Sequence, residues 1–396
     1  APTTTTSYSS SPPMPPLLPA PAPPPPLLAP GEGAGGGVLL ALGGGMEAPR
    51  HLVVLQHGLW ASPGTLRGLE RHLRAALPGS TRFLSSWVNA SALSVRGIQA
   101  CGERLAREVE AAVEEHPGVQ RISFVGHSFG GIICRRAARL GLEKGRGDND
   151  SGAGCRVFGL EPGVFATIAS PHLGVAVQPS GGLEVPLLSW VGAALPPRGA
   201  DFVRTVGRVV GTLVHGQTGW DLLQSLEPAV GGRVGAEDEL ELLTLVDDAH
   251  LAALRAFSRR VLYSAVDLSP GTPTKAIGID HMVPFRSSSL RTESEAQAAL
   301  EDWAPKEDGE FGEIKQWGPV RSVDTGGVHT HLAGTPPRTA AQACLARLNS
   351  LEFYKVDVVM RGFALLAHRS LVNPGSSGGL ALAHHLEKAL DLTVPL

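Results

Sequence analysis

The sequence predicts an α/β fold, with a mostly parallel central sheet, helices on both of its faces and a helical lid insertion. Three observations carry this. Short apolar runs alternate with amphipathic segments from residue 51 to 170, the alternation resumes from about 250 to 390, and a Gly-x-Ser-x-Gly stands between a strand-like and a helix-like segment.

The elements follow in order. HLVVLQHG from His51 is a short apolar run closed by Gly58 and Pro63-Gly64, as a buried parallel strand leaving into a loop should be. Thr65 to Leu77 has the periodicity of an amphipathic helix, and TRFLSSWV (Thr81 to Val88) reads as the second strand. Ile98, Cys101, Leu105, Val109 and Val113 recur at helical spacing until His116-Pro117 stops the helix. RISFVG is the third strand, a helix runs from Gly131 to about Leu142, and VFATIAS (Val164 to Ser170) is the fourth strand. Residues 171–245 break the rhythm with apolar helical pieces and define the expected lid. The alternation then returns with a helix at His250 to Phe257 and the strand RRVLYSAV. A helix near Thr339 to Leu351, the strand FYKVDVVM and a helix from Ser377 to Leu390 follow. Polar inserted loops are expected at 267–279 and 303–338.

Composition narrows the function classes. With 43% hydrophobic residues the chain can bury a large core, while 49 Gly and 32 Pro exceed ordinary usage and concentrate near the N-terminus. Residues 1–30 carry no charge, and their Ser/Thr and Pro/Leu/Ala content favours extended conformations, so 1–48 reads as a disordered leader and 49–396 as one folded domain. The chain begins at Ala1; the lack of acids before Glu32 suits a transit peptide, and the lack of Arg before Arg50 argues against one. A net charge of -3 without a basic run gives no support to a nucleic-acid partner. No apolar stretch is long enough for a transmembrane helix. Cys101, Cys134, Cys155 and Cys344 are scattered, with no Cys/His grouping at metal spacing, so neither disulfides, metal nor another cofactor is expected. His329 and His331 form an HxH without a visible third ligand, and His384 and His385 read as surface or packing residues of the last helix.

Gly126-His127-Ser128-Phe129-Gly130 is the strongest local signal. Its glycines allow a tight turn between strand and helix that holds Ser128 in a strained conformation with its hydroxyl exposed, the setting a nucleophile requires. Attack on a carbonyl needs rigid donors for the oxyanion. The Phe129 amide is one candidate and the Leu59 amide, in the Gly-containing loop after the first strand, the other, with Trp60 as the alternative. His57, at that strand end, reads as a loop residue whose ring bonds backbone. A triad on such a sheet runs Ser, acid, His along the chain, which selects His368, expected in a loop between the last strand and the last helix. For the acid, Asp267 directly follows its strand and Asp280 follows thirteen positions later; position alone favours Asp267.

HLVVLQHGLW, RISFVGHSFGG, FATIASPHLGV, RRVLYSAV and DHMVPFRSSSLR together resemble the serine esterase and lipase family of the α/β-hydrolase superfamily found in plants, algae and fungi. The resemblance spans most of residues 51–390 and includes Gly216-Gln217-Thr218-Gly219 after the lid; the two insertions depart from it. It implies an α/β-hydrolase fold and a triad acid in an Asp-x-x-Val segment leading to Ser-x-x-Arg, here Asp280 to Val283 and Ser288 to Arg291. The expectation is then a carboxylic ester hydrolase with Ser128, Asp280 and His368 as triad and Leu59 and Phe129 as oxyanion donors. By the family analogy its substrates are acylglycerols or polar glycerolipids. A thioesterase or acyltransferase with the same triad, or a non-catalytic scaffold, are the alternatives. Ser170-Pro171-His172-Leu173-Gly174 reads as site wall and lid hinge, with His172 structural. Expected partners are a lipid or ester substrate and, through the apolar lid, a membrane or lipid-droplet surface. The expected location is cytoplasmic or membrane-peripheral, with a plastid address left open.

Overall fold

The computed structural model describes residues 50–144, 154–175, 215–222, 241–267, 280, 282–301, 314–320, 340–360 and 364–396, all within the compact unit Met46–Leu396. The expected leader, most of the lid and the inserted loop 268–279 lie outside the described residues.

Seven strands form one sheet: β1 (His51–Gln56), β2 (Thr81–Ser85), β3 (Arg121–His127), β4 (Glu161–Ile168), β5 (Arg259–Asp267), β6 (Ile314–Val320) and β7 (Phe353–Met360). Their order is β2-β1-β3-β4-β5-β7-β6, parallel except for β6, which runs antiparallel to β7 at the edge. β6 falls in the stretch 303–338 that composition assigns to a loop. Its sequence, IKQWGPV, has no apolar run, and Gly318 (φ 101°) and Pro319 break the register, as an edge strand tolerates.

Period-two alternation divides the strands between two cores. Leu52, Val54, Ile122 and Phe124 face α2 (Ile98–Glu115), α3 (Phe129–Lys144) and α5 (Asp248–Ala256), which follows the short α4 (Glu241–Thr244). Val53, Leu55, Val125 and Tyr263 face α1 (Arg67–Ala76) and the C-terminal helix. That helix is α10 (Ser377–Leu390); before it come α6 (Phe285–Ser289), α7 (Glu293–Glu301), α8 (Ala340–Leu348) and α9 (Ala364–Ser370). This sheet, covered on both faces, is the α/β-hydrolase fold. The chain leaves β1 toward β2 on one side and reaches β3 on the other, so the switch point lies between the C-terminal ends of β1 and β3, where such sheets bind ligands.

Cys101, Cys134 and Cys344 are buried free thiols and Cys155 is exposed and free. No helix among the described residues is long and apolar enough to cross a membrane.

Candidate active site

Ser128 occupies the turn between β3 and α3 with φ 56°, a conformation that costs an L residue roughly 1–3 kcal/mol. Sterics enforce it. A Cβ on Gly130 would lie 2.2 Å from the Gln56 carbonyl oxygen, and one on Gly126 would lie 2.4 Å from the Gly131 Cα. The Ser128 amide donates to the Ile168 carbonyl at 2.8 Å, which pins the turn to the end of β4. Trp60 after β1 and Ala169 after β4 also have positive φ, at 56° and 48°, at the same end of the sheet as Ser128.

His368 and Asp280, 88 residues apart, meet in a bond in which Nδ1–H donates to Oδ2 at 2.6 Å. Both are buried. The other carboxylate oxygen, Oδ1, accepts the Met282 and Val283 amides at 2.9 and 3.1 Å, so the Asp-x-x-Val segment folds around its own acid. With Nδ1 donating to the carboxylate, Nε2 is the ring nitrogen that a neutral imidazole leaves unprotonated. His368 sits in α9 and not in the loop expected from sequence; a short helix of seven residues after β7 carries it. The His127 Nε2–H donates to the His368 carbonyl at 3.0 Å with ring centroids 4.7 Å apart, so the residue before Ser128 holds the His368 backbone. Burial drops His127 to a pKa of about 3 and keeps it neutral. Asp267 is the last residue of β5; its side chain lies outside the described residues, as does His281.

The loop after β1 closes the other side. A Cβ on Gly58 would stand 2.7 Å from the Ser128 Cβ and 3.1 Å from its Oγ, so only glycine lets this backbone approach the hydroxyl. The Trp60 amide, the alternative donor on this loop, is engaged with Ser94 Oγ at 2.9 Å. Phe129 begins α3, where amides lack intrahelical acceptors. The buried His57 ring bonds the Gly58 carbonyl through Nδ1 at 3.0 Å, a backbone-bonding position, and burial lowers its pKa. His172 bonds Thr167 Oγ1 at 2.9 Å and burial holds it well below its ordinary pKa, as suits a structural histidine.

A family model described as "Putative serine esterase (DUF676)" matches residues 46–276, more than half of the chain. The chain belongs to this family of serine esterases. Among curated proteins, this esterase-family chain is 29% identical over 154 residues to "Putative lipase YDR444W" of Saccharomyces cerevisiae, a match covering 36% of this chain and 21% of that relative. The chain thus spans about a fifth of the length of the curated relative it matches. Among solved structures it is similar to phospholipase PlaB from Legionella pneumophila, at 14% identity and a TM-score of 0.35, covering 60% of this chain and 44% of that one. A carboxyl esterase from Bacillus coagulans matches at 11% identity and a TM-score of 0.31, covering 65% and 78%. At these scores the fold rests on the sheet order itself.

Three features of this esterase-family site escape sequence reasoning. Arg291, in the Ser-x-x-Arg segment, donates from Nη1 to Asp357 Oδ1 of β7 at 2.6 Å, and Trp317 of β6 donates to the second Asp357 oxygen at 2.7 Å. Lys355 of β7 donates to the Leu290 carbonyl at 2.6 Å, so the segment after Asp280 is tied to the sheet at two points. Gly216-Gln217-Thr218-Gly219 lies in helical residues 215–222 and serves α2: Thr218 Oγ1 accepts the Gly97 amide at 2.9 Å and Asp221 accepts the Ile98 amide at 2.8 Å. The only groups of metal-ligand geometry among the described residues are His72, His384 and Glu387, which involve none of these side chains.

Proposed function

We propose that the protein hydrolyses carboxylic esters of lipids, acylglycerols or polar glycerolipids, through Ser128, His368 and Asp280, with the Leu59 and Phe129 amides as oxyanion donors. The observation that carries this reading is the Asp280–His368 bond joined, through His127, to the strained turn of Ser128.

In the reaction His368 Nε2 takes the Ser128 proton as Oγ attacks the ester carbonyl carbon. The carbonyl electrons move onto oxygen, which the two amides receive; one such donor is worth roughly 10²–10³ in rate. The tetrahedral intermediate collapses, the ester C–O bond breaks, and His368 gives its proton to the leaving alcohol. Water then attacks the acyl-enzyme with His368 again as base, and the proton returns to Ser128 as the acid leaves. Asp280 holds the imidazole in the required tautomer and stabilises its charged form.

Apolar surface near these residues supports an acyl substrate. Trp60 and Met282 are each 49% exposed on the segments that carry Leu59 and Asp280, and Trp220 is 42% exposed beside the helical turn whose His215 accepts from the Trp60 indole at 3.0 Å. The test is hydrolysis of p-nitrophenyl esters of increasing chain length, then of diacylglycerol and phosphatidylcholine in mixed micelles. Rising kcat/KM with chain length and release of fatty acid from the glycerolipids is expected. Preference for acetate esters, with no turnover of any glycerolipid, contradicts the lipid assignment.

A further inference from the structure

Three side chains that the hydrolytic reading does not use converge where α1 meets α10. His72 projects from α1, and His384 and Glu387, three residues apart on α10, share one face of that helix. One ligand atom from each lies within 4.8 Å of the other two. We propose that His72, His384 and Glu387 form a binding site for a divalent zinc-class metal ion that clamps α1 to the C-terminal helix.

The distances favour this over ion pairing. His72 Nε2 is 3.5 Å and His384 Nδ1 3.6 Å from the same oxygen, Glu387 Oε2. Both are long for hydrogen bonds, and His72 Nε2 is buried with no hydrogen-bond partner. A tetrahedral zinc ion with bonds of about 2.0–2.1 Å to nitrogen and oxygen holds its ligands roughly 3.4 Å apart. The two separations therefore match the edges of a zinc tetrahedron, and a metal bond satisfies the orphaned ring nitrogen. The two rings meet edge to face, with centroids 4.7 Å apart at 80°, so they converge without stacking.

The donor set selects the ion. Two imidazoles and one carboxylate suit zinc and its neighbours, whereas calcium and magnesium require oxygen shells. The His384 side chain is 59% exposed, which gives the ion an entry path and leaves water for the fourth position. The ligands come from positions 72 and 384, so a bound ion closes nearly the whole folded domain into one loop, the setting in which a cross-link restricts the unfolded chain most. The role is structural: the ion ties the first helix to the last and takes no part in hydrolysis.

The experiment uses the full chain without an affinity tag, stripped with EDTA. Zinc chloride is titrated by calorimetry and thermal unfolding is followed with and without a hundredfold excess over Kd. One ion per chain is expected, with a midpoint rise of roughly 2–5 °C. Cobalt(II) should give the intense visible bands of a tetrahedral site. His72→Ala and His384→Ala should weaken binding at least about tenfold and abolish the midpoint shift, whereas His116→Ala, at the end of α2, should keep both. If an alanine variant does not fold, Glu387→Gln, which preserves shape, must show the same loss. Equal zinc affinity in all variants, or no binding and no shift in wild type, overturns the proposal.

Discussion

The turn that carries Ser128 is fixed by steric exclusion, with glycine backbones packed too closely for any Cβ, whereas the segment that carries Asp280 is fixed by charged groups reaching across the sheet. The first device is local and all-or-none: a side chain at Gly130 must displace the β1 carbonyls. The second is distributed over Arg291, Asp357, Trp317 and Lys355, from three separate segments, and can yield in part. A nucleophile must be placed rigidly against both oxyanion donors. In the proposed triad the acid needs only to keep one contact with its histidine, and one buried ion pair with the hydrogen bonds of Trp317 and Lys355 holds its segment for that.

The largest expected effect separates chemistry from architecture at the Asp280 end. Asp280→Asn keeps Oδ1 for the Met282 and Val283 amides but offers an amide to His368, so kcat/KM should fall by about 10⁴ while the unfolding midpoint moves little. Gly130→Ala is the counterpart on the Ser128 side. Its Cβ would meet the Gln56 carbonyl oxygen at 2.2 Å, so loss of stability of about 4 kcal/mol or more, measured by urea unfolding, should accompany loss of activity.

Asp357→Asn tests the distributed device. It strands the buried Arg291 guanidinium, which should cost about 3–5 kcal/mol in urea unfolding and lower activity through a displaced Asp280. Activity equal to wild type in the folded variant would show that the network does not position the acid.

Acid should weaken the whole molecule gradually. Burial lowers His51, His250 and His385 to about 4 and His127 to about 3, below the ordinary value of 6.5. The unfolded chain then binds more protons than the folded one between those values and 6.5. Stability is whole above about pH 6.5 and is lost as pH falls toward 4, each histidine contributing up to about 1.4 kcal/mol per pH unit. Thermal unfolding midpoints across pH 4–8 measure this. The smallest effect belongs to Ser94→Ala, which frees the Trp60 amide and should cost about 1 kcal/mol with activity retained.

The same contrast explains what could be read from residues alone. β1, β3 and β7 are apolar runs, and Gly126 to Gly130 is a contiguous turn motif, so local pattern suffices for each. Asp280 follows from the resemblance of DHMVPFRSSSLR, not from position, which favours Asp267. β6 hides in a polar stretch because its strand character comes from pairing with β7 and from the Trp317 bond to Asp357, neither of which leaves a hydrophobic period. α9 is a single short helix without a cap signal. The role of Thr218 and Asp221 in capping α2, and the meeting of His72 with His384, join positions more than a hundred residues apart, beyond any spacing rule.

The most direct measurement is intact-mass spectrometry after treatment with a fluorophosphonate, with wild type, Ser128→Ala, His368→Ala, Asp280→Asn and Asp267→Asn side by side. The account predicts a single adduct on Ser128 in wild type and in Asp267→Asn, none in Ser128→Ala, and strongly slowed labelling in His368→Ala and Asp280→Asn. An unmodified wild type that is folded, or fast labelling of Asp280→Asn with slow labelling of Asp267→Asn, would contradict it.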